Sequence, residues 1–141
     1  MIFAAGFGTR MGHLTKACPK PLLTVAGQTL LDRTRDLARS AEVSRIVVNT
    51  HYLGAQIADH LAGSGCTVLH ESPDILDTGG GLKAAVPHLG DGPVFTANPD
   101  VIWSGPNPFE FLADAANPKD TATLLLVPLG RAIGPDLSLI H

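Results

Sequence analysis

Met1-Ile2-Phe3-Ala4-Ala5-Gly6-Phe7-Gly8-Thr9-Arg10 opens the chain, and the step within it from apolar residues to glycines decides the fold. Met1–Ala5 is short, continuous and apolar, which reads as a strand buried on both faces. The glycines that follow give the backbone access to positive φ and let main-chain N–H groups approach a phosphate closely. A buried strand running straight into such a loop is the opening unit of an α/β sheet. The apolar run begins at the first residue, so the expectation is that the true start lies upstream or that Met1 is an internal strand residue.

The rest of the chain repeats the alternation. Leu30–Ser40 carries Leu30, Leu31, Thr34, Leu37 and Ala38 at helical spacing. Thr29 is placed to cap that helix, with Asp32 three residues on. Ile46, Val47 and Val48 mark a β-branched strand within 45–49, and Leu53, Ile57 and Leu61 a second helix. Cys66–His70 reads as a third strand, Gly79–Leu89 as a helix, Pro93–Ala97 as a fourth strand, Pro106–Ala116 as a short helix and Thr121–Val127 as a fifth strand. The fold class expected is α/β, a Rossmann-like, mostly parallel sheet with helices on both faces. Ligands of such sheets sit beyond the carboxyl ends of the strands, where the loops after Ala5 and Ala97 fall.

Composition narrows the function classes. The 141 residues are 45% hydrophobic and 16% charged, with a formal net charge of −3. That is a globular balance without the basic field that nucleic acid or an anionic membrane needs. No apolar run approaches a transmembrane span, and Met1–Ala5 is too short for a signal peptide. Cys18 and Cys66 make neither a metal cluster nor a disulfide framework, which favours a reduced, cytoplasmic setting. Any phosphate binding must come from a local site.

Gly6 to Leu22 supplies one. Thr9 adds a hydroxyl and Arg10 a bidentate fork for phosphate oxygens. Pro19-Lys20-Pro21-Leu22 presents one lysine from a stiffened segment. A P-loop is excluded because Gly12 is followed by His13, and the dinucleotide fingerprint because Gly6, Gly8 and Gly12 are spaced one residue too far. A tight strand-to-loop turn with incidental cations is the structural alternative.

Ala4-Ala5-Gly6-Phe7-Gly8-Thr9-Arg10-Met11, then Leu14-Thr15, then Pro19-Lys20-Pro21-Leu22 resembles the signature of the sugar-1-phosphate nucleotidyltransferases. His13 departs from it, standing where the family usually has proline. Val25–Asp32 resembles the family's turn into its first long helix. Leu76-Asp77-Thr78-Gly79-Gly80-Gly81 resembles the family's leucine-glycine-threonine-alanine-glycine, with Asp77 in place of the first glycine. The variant, with Asn49-Thr50-His51, is similar to the branch of N-acetylmuramate-1-phosphate uridylyltransferases and mannose-1-phosphate guanylyltransferase-like proteins. His51 has an equally good alternative role as a loop imidazole bonded to backbone.

The resemblance implies transfer of a nucleoside monophosphate from an NTP, UTP by preference, to a sugar 1-phosphate such as N-acetylmuramate 1-phosphate, with release of pyrophosphate. It implies sugar-nucleotide biosynthesis and cell-wall recycling as the setting, and Mg²⁺ as cofactor. Arg10 and Lys20 take the catalytic places on the triphosphate. Ala5, Gly6, Gly8, Thr9, Arg10, Lys20, Gly79, Gly80, Gly81 and Asn98 form the nucleotide site, and Asp100 holds the metal. Pro99 departs from the small residue usual between that asparagine and aspartate. Trp103 could stack on a base or sugar, or pack half-buried. The alternatives are guanylyl or thymidylyl transfer to a hexose 1-phosphate, or a non-catalytic nucleotide-binding fragment or regulatory paralogue.

The resemblance covers residues 1–133. The family's sugar contacts and second metal aspartate are expected beyond them. Gly134–His141 does not continue the pattern. Leu137-Ser138-Leu139-Ile140-His141 is what a common transposase sequencing adapter encodes in frame, so a sequencing artefact is expected there, with an ordinary divergent terminus as the alternative. Oligomeric state is open at this level.

Overall fold

The computed structural model describes residues 1–126. Strand β1 (Ile2–Phe3) pairs in parallel with β4 (Val47–Thr50), and β4 with β5 (Thr67–His70), giving the order β1-β4-β5. On the free side of β1, Ala97 completes the row. It forms a parallel bridge with Ile2, accepts from the Phe3 N–H at 2.9 Å and donates to the Met1 carbonyl at 3.0 Å. The fourth strand expected over Pro93–Ala97 is therefore reduced to one bridge. The fifth, over Thr121–Val127, is absent from the described part of that stretch, 121–126, where Leu124 and Leu126 are exposed. Val127 and the tail Gly134–His141 lie outside the described residues.

The chain winds outward from β1 through α1 (Leu30–Ser40) to β4, and through α2 (Gly54–His60) to β5. It then returns to the other side of β1 through α3 (Asp77–Leu89). Crossovers between parallel strands are right-handed, so reversing the direction of travel moves the helix to the opposite face. Two cores result. Ile2, Ala4, Ile46 and Val48 meet Leu31, Ala38 and Ile57 on one face, with Phe109 from α4 (Pro108–Ala115). Met1 and Val47 meet Ala85 of α3 on the other, flanked by Phe3, Leu69 and Leu82. Val47 and Val48 point to opposite faces because side chains alternate along a strand. Leu31, Val48 and Ile57 are fully buried, each stabilising the fold by about 1.5–3 kcal/mol.

Local chemistry sets the ends of α1. The Thr29 hydroxyl accepts from the Asp32 N–H at 3.0 Å and donates to the Asp32 carboxylate at 2.7 Å. Ahead of it, β2 (Thr24–Val25) and β3 (Gln28–Thr29) form a hairpin around Ala26 and Gly27, both at positive φ as a two-residue turn of this hand requires. Burial pushes the Asp32 carboxyl up, but the Thr29 and His60 hydrogen bonds and the charges of Arg35 and His60 outweigh it and hold the group below 3.8. Among the described residues, no helix is long and apolar enough to cross a membrane.

Candidate nucleotide site

The Ala97 segment leaves one side of β1 while β4 and β5 occupy the other, so the sheet's switch point lies just beyond Phe3 and Ala97. A cleft of about 360 Å³ opens there. Its floor is Phe3–Gly6 and Asn49. One wall is Gly8–Met11 with Lys20 and Pro21, another is Ile75 with Asp77 and Thr78, and the third is Asn98–Asp100. Eight of the residues singled out in the sequence meet here: Ala5, Gly6, Gly8, Thr9, Arg10, Lys20, Asn98 and Asp100.

The segment Gly6–Leu22 contains two 3₁₀ turns, Thr9–Thr15 and Lys20–Leu22. Gly8 sits at φ 64°, and a Cβ on it would lie 3.1 Å from both the Lys20 Cβ and the Thr15 Cγ2. Glycine there is what lets the loop press against the proline-flanked lysine. Thr15 closes the turn by donating to the Gly8 carbonyl at 3.0 Å. The Tyr52 hydroxyl, from the β4–α2 connection, donates to the Thr15 carbonyl at 3.0 Å, and Gln56 of α2 donates to that of Ala17 at 3.1 Å. His51 meets Phe7 edge-on, with ring centroids 5.4 Å apart. Its Nδ1–H donates to the Glu71 carbonyl at 2.9 Å, so His51 takes the backbone-bonded role. Trp103 is half-buried and lies away from the cleft, beside Leu37 and Ile102.

Across the cleft, the Lys20 ammonium donates to the Asp100 carboxylate at 2.6 Å. The cation expected on phosphate and the carboxylate expected on metal thus hold one another over eighty residues of sequence separation. Both remain partly open to solvent, at 26% and 36%, and so can be drawn apart by a ligand carrying phosphate and a cation.

The glycine triplet is placed differently from the expectation of three free glycines before a helix. α3 begins at Asp77, so Gly79, Gly80 and Gly81 lie inside its first turns and none of the three lines the cleft. Of their N–H groups only that of Gly79 falls among the first, unsatisfied donors of the helix. Gly81 is buried, and a Cβ on it would come within 2.8 Å of the Asn49 Nδ2 and the Glu71 Oε1. Its smallness serves packing. Asp77, where glycine was expected from the family pattern, holds a left-handed φ of 55°. Aspartate is among the few non-glycine residues that adopt that conformation readily. Glu71, 5% exposed, escaped the sequence reading altogether.

A parallel sheet with a glycine loop, two cations and a carboxylate around a cleft at its switch point defines an α/β domain of the doubly wound type. Comparison with known proteins makes the class specific: the model of the MobA-like NTP transferase domain matches residues 1–136, and the chain belongs to that family, whose characterised members are nucleotidyltransferases. It is 43% identical over 110 residues to the N-acetylmuramate alpha-1-phosphate uridylyltransferase of Caulobacter vibrioides, covering 73% of this chain and 46% of that protein. The protein of the same name from Neisseria meningitidis is 43% identical over 107 residues, covering 72% and 46%. A 2-aminoethylphosphonate cytidylyltransferase from Lancefieldella rimae is 34% identical over 112 residues, covering 78% and 46%. The crystal structure of HddC from Yersinia pseudotuberculosis complexed with GMP-PN superposes with a TM-score of 0.61 at 27% identity, covering 70% of this chain and 46% of that one. The chain spans about half the length of the relatives it matches.

Proposed function

We propose that the cleft binds a nucleoside triphosphate, UTP by preference, and that the whole protein transfers its nucleotidyl group to a sugar 1-phosphate, N-acetylmuramate 1-phosphate by preference. The observation that carries the reading is the convergence of Gly6–Arg10, Lys20 and Asp100 on one cleft at the sheet's switch point. The two uridylyltransferase relatives support the choice of base and sugar. Thiols left unpaired at Cys18 and Cys66 agree with a cytoplasmic setting.

In the reaction, an oxygen of the sugar phosphate attacks the α-phosphorus and the bond from that phosphorus to pyrophosphate breaks. No covalent intermediate on the protein is needed, so the work is positioning and charge compensation. Arg10 and Lys20 balance the charge of the departing pyrophosphate. Backbone N–H groups of the Gly6–Thr9 turn and the Thr9 hydroxyl orient the triphosphate, and Asn98 borders it from the opposite wall. The base lies toward Ile75, Asp77 and Thr78, near the Gly79 N–H.

Among the described residues no cluster of three metal-binding side chains exists. Magnesium does not require one, because it keeps its waters and takes one or two carboxylates together with substrate phosphates. Asp100 fits that donor set and would hold Mg²⁺, which when bound supplies further neutralisation of the phosphates. Lys20, which pairs with Asp100, would contact a phosphate oxygen of the bound nucleotide.

Calorimetric titration of UTP, CTP, GTP, dTTP and ATP, with and without Mg²⁺, tests the binding. Tightest binding for UTP, strengthened by Mg²⁺, is expected. A preference for CTP would favour the chemistry named for the phosphonate relative. Pyrophosphate release by the whole protein with muramic, mannose and glucose phosphates tests the acceptor.

A further inference from the structure

From the cleft floor a largely buried chain of hydrogen bonds runs toward the base-side wall. The Ala4 N–H donates to the Asn49 Oδ1 at 2.9 Å, and the Asn49 Nδ2 donates to the Glu71 Oε1 at 2.8 Å. The Glu71 Oε2 in turn accepts from the Leu76 N–H at 2.8 Å. Asn49 and Glu71 are 4% and 5% exposed. Ala4 is the residue from which β1 leaves for the glycine loop, and Leu76 is the residue before Asp77 turns left-handed into α3. The two side chains therefore join the phosphate side of the cleft to its base side. Gly81 packs directly over their junction.

We infer that Glu71, oriented by Asn49, is a positioning residue that sets the base-side wall, Ile75–Thr78, against the glycine loop. The inference rests on the reading that the cleft takes a nucleotide with its base on that wall. The polarity of the chain is fixed. Glu71 accepts at both oxygens, and Asn49 accepts from Ala4 and donates to Glu71. An amide at position 71 has only one oxygen for two facing donors, so one end of the relay must break and the Leu76 anchor competes for what remains. Exchanging the two chemistries repairs it. In the double variant Asn49→Asp with Glu71→Gln, the carboxylate now at position 49 accepts from Ala4 and from the amide now at position 71. The oxygen of that amide accepts from Leu76. Every donor has a partner again, and the net charge is unchanged.

The test is calorimetry on the full 141-residue chain with two probes, UTP and inorganic pyrophosphate, each with Mg²⁺. Pyrophosphate reports the Gly6–Arg10 and Lys20 side alone, whereas UTP reports both sides. E71Q is expected to weaken UTP at least tenfold and pyrophosphate less than threefold, and the exchanged pair N49D/E71Q to restore UTP to within about threefold of the unmodified chain. Equal losses for both probes, an unchanged UTP affinity in E71Q, or no recovery in the exchanged pair would overturn the inference. If E71Q does not fold, the exchanged pair decides alone: recovery of folding and UTP binding supports the relay, and failure of either contradicts it. An unmodified chain that binds neither probe sinks the nucleotide reading first, and the relay's role with it.

Discussion

Replacing Lys20 with alanine separates the structural from the functional role of one ion pair. Lys20 donates to Asp100 at 2.6 Å, but the two side chains are 26% and 36% exposed. Solvent screens a pair so placed, and such pairs contribute about 0.2–1 kcal/mol to stability. Alanine keeps the Cβ against which Gly8 packs, so the loop contact survives. The melting midpoint is expected to fall by no more than about 3–4 °C, the shift that 1 kcal/mol produces in a chain of this size. Phosphate binding is a different matter. A charge-assisted contact to phosphate contributes about 1.5–3 kcal/mol, so K20A is expected to weaken UTP by about tenfold to 150-fold. Differential scanning calorimetry and UTP titration on the same preparation give both numbers. A large loss of stability with UTP affinity changed less than threefold would refute the reasoning, because the lysine would then be a fold residue.

Three further outcomes follow from the same geometry. Thr29→Ala removes the cap of α1 and is expected to cost about 1 kcal/mol, read as a lower denaturant midpoint without a change in slope. Gly8→Ala forces a side chain into φ 64° against Lys20 and Thr15; a loss of about 1–2 kcal/mol is expected, together with weaker UTP binding, and an unchanged melting curve would contradict the packing described. Because the fold holds Asp32 below its ordinary 3.8, the unfolded chain takes up that proton more readily than the folded one. The stabilisation is fully present above pH 3.8 and drains away as the pH falls through the folded value. Asp32→Asn should flatten that part of the stability–pH curve relative to the unmodified chain, and two parallel curves would dismiss the Asp32 assignment.

What the sequence disclosed depended on how local each signal was. Periodicity placed α1 over Leu30–Ser40, and the Thr29–Asp32 spacing gave its cap, because helix entry is a matter of a few adjacent residues. The gathering of the glycine loop, Arg10 and the proline-flanked Lys20 on one cleft was legible because loops at the carboxyl ends of parallel strands meet at the switch point. The Pro93–Ala97 strand shrank to one bridge because edge pairing depends on neighbours that apolarity does not name. The glycine triplet misled for a related reason: three glycines suggest bare backbone, but Gly81 is small to fit Asn49 and Glu71, and Leu76 and Asp77 make the turn. Nothing around Glu71 set it apart from a solvated carboxylate, since its partners are twenty-two residues back and five ahead. Nor could spacing reveal that Lys20 and Asp100 face each other across the cleft.

The central claim, a triphosphate cradled between the glycine loop and Lys20, is tested most directly by crystals of this chain grown with a non-hydrolysable UTP analogue and Mg²⁺. The account predicts phosphate density over Gly6–Arg10, with the Lys20 ammonium turned from Asp100 onto a phosphate oxygen and the base against Ile75–Thr78. Nucleotide bound elsewhere, or a cleft still bridged by Lys20 and Asp100 at saturating ligand, would contradict it.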